Sequence, residues 1–211
     1  CVARILIVVG TRPEAIKMAP LVAAAKATAA LDVRVCVTGQ HRQMLDEVLQ
    51  VFDIKPDIDL DIMRPRQTLA SVTHAALTGV SEVLERDRYD WVLVQGDTTT
   101  AFAASLAAFY NRVKVGHVEA GLRTGDRTQP WPEEVNRRLV AVVADKHFAP
   151  TETARANLLR EGYEPETILV TGNTVIDALQ STIRSAAGNP VLHRQLMEQF
   201  AFLKPDARLI L

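Results

Sequence analysis

Residues 91–121 read WVLVQGDTTTAFAASLAAFYNRVKVGHVEAG, and this stretch decides the fold class. "WVLVQGD" is a short apolar run that closes on a glycine and an acid, and "VKVGHVEAG" is a second such run. Between them "TTAFAASLAAFYNR" has the length and apolar stripe of a buried helix. Neither strand alternates apolar with polar residues, which predicts a β-α-β crossover in a parallel sheet covered on both faces.

The same alternation extends in both directions. "RILIVVG", "VRVCVTG", "KHFAPT", "TILVTGN" and the final "RLIL" read as further strands. "PEAIKMAPLVAAAKAT", "QMLDEVLQVF", "TLASVTHAALTGVSEVLERD", "EEVNRRLVAVVA" and "TETARANLLREG" read as helices. Strand and helix alternating over this length argue for a doubly wound, Rossmann-like α/β domain. Two more helices, "VIDALQSTIRSAAG" and "LHRQLMEQF", follow around the turn "AGNP". The expected division is a Rossmann-like domain over residues 1–180, then a connecting helix and the first strand of a further domain over 181–211. Opening on Cys1 and closing on "ARLIL", the chain is expected to be the first portion of a longer protein.

The bulk numbers suit a globular enzyme. Of 211 residues 48% are hydrophobic and 23% charged, which is enough for one well-buried core. A formal net charge of -1 gives no general attraction to nucleic acid or an anionic membrane. No uninterrupted apolar run approaches the roughly eighteen residues of a membrane span. Arg4 interrupts the N-terminal apolar run, so no signal peptide is predicted and the cytoplasm is the expected location. Cys1 and Cys36 form no disulfide framework, and His41, His74, His147 and His193 show no metal spacing.

Four strands end alike: "VVG-TRPE", "VTG-QHRQ", "VQG-DTTT" and "VTG-NTV" each close on a glycine and continue into a helix through polar residues. In an open parallel sheet these ends lie on one edge, where ligands bind. Pro13 suits a first helical turn, and Arg12 with Lys17 beside a helix N-terminus would hold a phosphate or carboxylate. Solvated charges on a well-capped helix explain the same residues equally well. Neither the P-loop nor the G-x-G-x-x-G fingerprint occurs, so an ATPase or ordinary dinucleotide-binding reading has little support.

Asp97, Glu119 and Glu133 can converge on this edge, and clustered carboxylates push one another's pKa values apart, which suits acid and base roles. Each has a plainer reading. Asp97 and Thr98 suit a helix N-cap, and Glu133 suits a first-turn charge. Glu119 suits an ion pair with Arg123 or Arg137. His117 at a strand end fits a packing and hydrogen-bonding role more readily than that of a base.

Together, "GTRPEAIKMAPL", "TGQHRQML", "GDTTTAFAASLAAFY", "VGHVEAGLRTGD", "PWPEEVNRRL", "FAPTETARANLLREG" and "VTGNTVIDAL" resemble the bacterial non-hydrolysing UDP-N-acetylglucosamine 2-epimerases, in order through nearly the whole chain. The resemblance implies a two-domain glycosyltransferase-B architecture with the sugar nucleotide in the cleft, this chain supplying the N-terminal domain. It implies interconversion of UDP-GlcNAc and UDP-ManNAc at C2 for surface polysaccharide precursors, by elimination and re-addition of UDP, with no cofactor. By motif match it makes Asp97, Glu119 and Glu133 the catalytic acids and places Arg12, with Lys17 nearby, on the phosphate side. It also implies a second, allosteric UDP-GlcNAc near Gln40, Gln43 and Arg66, and a homodimer. A hydrolysing relative, a glycosyltransferase and a non-catalytic sugar-nucleotide-binding module are the alternatives.

Overall fold

The computed structural model describes residues 2–39, 42–64 and 66–202. The chain begins with β1 (Ala3–Val9), α1 (Arg12–Lys26), β2 (Leu31–Val37), α2 (Arg42–Val51) and β3 (Ile58–Asp59). It continues with α3 (Leu69–Arg86), β4 (Trp91–Gln95), α4 (Thr99–Tyr110), β5 (Lys114–Val118) and α5 (Glu133–Val143). β6 (Lys146–Ala149), α6 (Glu152–Arg160), β7 (Ile168–Val170), α7 (Thr174–Gly188) and α8 (Pro190–Gln199) complete it. The strands form one seven-stranded sheet in the order β3-β2-β1-β4-β5-β6-β7, with every neighbouring pair parallel. This is the doubly wound, Rossmann-like sheet expected from the sequence, and its strand order reverses between β1 and β4.

Continuous hydrophobicity along β1 follows from its position. Leu6 and Val8 point into one core with Val80, Val92, Ala104 and Val140. Ile7 and Val9 point into the other with Met18, Val22, Val35 and Leu45. All four β1 side chains are buried, and burial of each stabilises the fold by about 2 kcal/mol. A polar residue at either register would face a core, so the strand has no polar side.

The expected strand and helix segments recur with small shifts at their ends. β3 is the strand not expected: two residues long, it pairs with Cys36 and Val37, in a stretch whose interspersed acids hide any strand pattern. The turn expected over "AGNP" narrows to Asn189 between α7 and α8. α7 runs unbroken through residue 180 and packs on α1. The strand expected in "RLIL" and the site residue Gln40 lie outside the described residues, as does the side chain of Gln43.

Gly10, at the end of β1, shows how closely the switch point is packed. A Cβ there would stand 2.2 Å from Thr100 Oγ1 and 2.7 Å from Thr38 Oγ1. Those hydroxyls lie 3.2 Å apart, joining the N-terminal turn of α4 to the end of β2. Only a glycine fits at this junction.

Candidate active site

Glu119 follows the last residue of β5 and adopts a left-handed backbone, φ 65°. Its carboxylate gathers donors from three other parts of the sheet edge. Lys17 Nζ, on α1, lies 2.8 Å from both oxygens. Gln95 Nε2, at the end of β4, donates to Oε2, and Asn173 Nδ2, after β7, donates to Oε1 at 3.1 Å. Gly96, also left-handed at φ 71°, lies against this carboxylate: a Cβ there would stand 3.6 Å from Oε2, an ordinary contact, so the backbone angle and not space favours glycine. The ion pair expected for Glu119 with Arg123 or Arg137 does not form. Arg123 makes a two-pronged pair with Glu161, each contact 2.8 Å, and Arg137 turns to Asp97 and Glu134. Lys17 reaches Glu119 from α1 across the end of β4, which lies between β1 and β5.

Asp97 sits in the turn between β4 and α4. Its carboxylate accepts a hydrogen bond from Arg137 Nη2, and its carbonyl accepts one from Asn136 Nδ2 at 3.0 Å. The adjoining Thr98 is the N-cap, its hydroxyl accepting from Ala101 N–H at 2.9 Å. Capping thus explains Thr98 and leaves Asp97 for another purpose. Burial lifts the Asp97 carboxyl above the ordinary aspartate range, Arg137 pulls it back, and the charges of Glu119 and Glu133 lift it again. The three expected acids therefore share one electrostatic neighbourhood. Glu133 opens α5 half-buried; Glu134 beside it is fully buried, held by Thr124 N–H, Arg137 and Arg138. Its role is to fix Arg137 against Asp97.

His117 is fully buried. Its Nε2 lies 2.7 Å from the Gly96 carbonyl oxygen, which can only accept, so the proton is on Nε2. Nδ1 has no partner, and burial pushes the imidazole down to about 3. The ring is a neutral donor that braces the Gly96 turn. Glu14, buried on α1, braces the neighbouring turn. It accepts from the N–H groups of Gly10 at 3.0 Å and Thr11 at 2.7 Å, and from the Thr98 hydroxyl at 2.7 Å. The amides of the N-cap Thr11 and of Gly10 before it are thereby occupied by the helix's own carboxylate, as in a capping box. Arg12 stands exposed at the same helix start, and no ion pair engages it among the described residues. Arg66 is exposed with φ 57° in the loop before α3. Among the described residues no cluster of His, Cys, Asp or Glu could hold a metal ion, and no helix is long and apolar enough to cross a membrane.

The family profile described as UDP-N-acetylglucosamine 2-epimerase matches residues 23–207. The chain belongs to the UDP-N-acetylglucosamine 2-epimerase family. Asp97, Glu119 and Glu133 fall within the matched residues, while Arg12 and Lys17 precede them. A UDP-N-acetylglucosamine 2-epimerase of Yersinia pestis is 56% identical over 208 residues, covering 99% of this chain and 55% of its own. The UDP-GlcNAc 2-epimerase of Neisseria meningitidis, solved bound to UDP-GlcNAc, superposes with a TM-score of 0.91 at 48% identity, covering 97% of this chain and 56% of that one. The Methanocaldococcus jannaschii UDP-GlcNAc 2-epimerase, solved with UDP-GlcNAc and UDP, gives 0.85 at 37% identity, covering 93% and 53%. The chain spans about half the length of these epimerases.

Gln95, Asn173, Glu134 and Glu14 are the site residues whose part was not expected from sequence. Gln95 had a signal, being a polar side chain at the end of an otherwise apolar strand. Asn173 had one too, standing in "VTGNTV" at a glycine-closed strand end.

Proposed function

We propose that the complete protein interconverts UDP-GlcNAc and UDP-ManNAc at C2 by eliminating UDP and adding it back. A basic group takes the C2 proton, its electron pair forms the C1–C2 double bond, and the C1–O bond breaks to release UDP. Re-addition of UDP with the proton delivered to the opposite face gives the epimer. Such a reaction needs proton carriers within reach of C2 and positive charge near the departing diphosphate.

The observation that carries this reading is the cluster at the switch point, where Glu119 is fixed by Lys17, Gln95 and Asn173 beside Asp97 and Arg137. Glu119 is oriented by three donors and stands as a proton-transfer carboxylate. Asp97, whose carboxyl is lifted, suits a stage of the cycle in which a proton is held. Glu133 adds the third acid. On this reading Arg12, exposed at the start of α1, meets the diphosphate, and Lys17 adds positive charge nearby. On the same reading residues 1–180 are one domain of a glycosyltransferase-B pair, and 181–211 lead into the other. Gln40, Gln43 and Arg66 serve an activating UDP-GlcNAc, and the cytoplasmic enzyme works as a homodimer supplying surface polysaccharide precursors.

Proton NMR of the complete protein with UDP-GlcNAc in deuterated water tests the reaction. A second sugar nucleotide carrying deuterium at C2 is expected. Absence of both refutes epimerisation, and accumulation of free ManNAc with UDP would mark a hydrolysing enzyme instead.

A further inference from the structure

Asn173 uses its side chain twice. Oδ1 accepts the Val175 N–H at 3.1 Å, which caps α7, and Nδ2 donates to Glu119 Oε1 at 3.1 Å. The partners fix the amide's orientation, since the reverse would set oxygen against a carboxylate and N–H against N–H. Serine or aspartate would cap the helix equally well. Aspartate has no donor for the carboxylate, and a serine hydroxyl, which can do both as Thr98 does, carries a single oxygen one bond short of the amide's Oδ1 and Nδ2. The second role is therefore one that capping does not explain.

The surroundings give that role a purpose. Glu119 Oε1 is shared between Asn173 from the start of α7 and Lys17 from α1, and these two helices pack on each other. Ile16 of α1 and Val175, Ile176 and Leu179 of α7 line one apolar groove of about 440 Å³ that α2 completes. The charged groups around the carboxylate are Lys17 from α1, 2.8 Å away, and Asp97 from the turn after β4, whose carboxyl the charge of Glu119 lifts.

We propose that Asn173 is a positioning residue for Glu119: its amide ties the carboxylate to the N-terminus of α7, so the seating of α7 on α1 sets where the carboxylate stands. This rests on the proposed role of Glu119 in proton transfer.

The test compares Asn173→Ser and Asn173→Asp in the complete protein, both of which keep a capping acceptor, by deuterium incorporation at C2 across pH. Asn173→Ser is expected to lower kcat about 10- to 100-fold with KM within about threefold, since small misplacements of a reacting group act on kcat. Asn173→Asp is expected to lose more and to move the acid limb of the pH profile up by about one unit, because it places a second carboxylate against Glu119. Thermal unfolding within about 2 °C of the parent shows that the cap survives in each. Both variants turning over within twofold of the parent, with an unmoved profile, would overturn the inference. An inactive parent, or a Glu119→Gln variant with full turnover, would instead overturn the function on which it rests.

Discussion

Acidification offers a direct measure of how the Gly96 turn is held. His117 is buried, donates from Nε2 to the Gly96 carbonyl, and has an Nδ1 with no partner that could receive a second proton's hydrogen bond. Its pKa is pushed down to about 3 from the ordinary 6.5. A native state that resists protonation binds fewer protons than the unfolded chain between these values. Stability is therefore fully present above the unfolded pKa and is lost as pH falls from 6.5 toward 3. At pH 5 the unfolded imidazole is almost wholly protonated and the native one is not, so His117 alone destabilises by about 2 kcal/mol relative to pH 8. For a chain of this size that lowers Tm by about 4–8 °C. Glu14 and Asp97, whose carboxyls burial lifts, act in the opposite sense over part of this range, so the diagnostic quantity is the difference from a His117→Gln variant. Glutamine can still donate to the carbonyl but does not titrate in this range. Thermal unfolding by circular dichroism at pH 8 and pH 5 should show the parent losing about 2 kcal/mol more than the variant. Parallel losses, or a His117 imidazole proton resonance titrating near 6.5, would refute the assignment of His117 as a neutral brace.

Three further outcomes are expected. Arg137→Met leaves the buried Glu134 and the neighbouring Asp97 without their shared cation, and should cost about 3–5 kcal/mol, read as a fall in denaturant midpoint. Gly10→Ala drives a methyl to 2.2 Å from Thr100 Oγ1 and should destabilise by about 1–3 kcal/mol, whereas Gly125→Ala, with open space around its Cβ, should suffer only the backbone strain of its φ of 83°, both read by thermal unfolding. Glu119→Gln in the complete protein should reduce deuterium incorporation at C2 by at least about 100-fold while leaving sugar-nucleotide binding by calorimetry within about tenfold.

The edge-on convergence of Asp97 and Glu119 was legible because each follows an apolar strand, and strands of that kind belong to a parallel sheet whose carboxyl ends share one edge. Glu133 was legible as an acid in the first turn of the helix "EEVNRRLVAVVA". The partners were not. Lys17 and Glu119 are 102 positions apart, and Asp97 and Arg137 40 apart, and nothing local pairs either base with its acid. Arg123 is closer to Glu119 in sequence, yet it pairs with Glu161, the C-cap of α6. His117 was open between packing and catalysis until the Gly96 carbonyl appeared opposite its Nε2.

By itself, then, the sequence determined the class of fold, the positions of the strand ends and the acids that stand at them. These follow from hydrophobic runs, glycine placement and helix caps, all of which act over a few residues. Tertiary structure alone decided which donor meets which acid, that Glu14 also takes the hydroxyl of Thr98, and that Asn173 joins α7 to Glu119. Those choices depend on strand order and on the left-handed turns at Gly96 and Glu119, which aim side chains across neighbouring strands. No interaction within a single segment could have specified them.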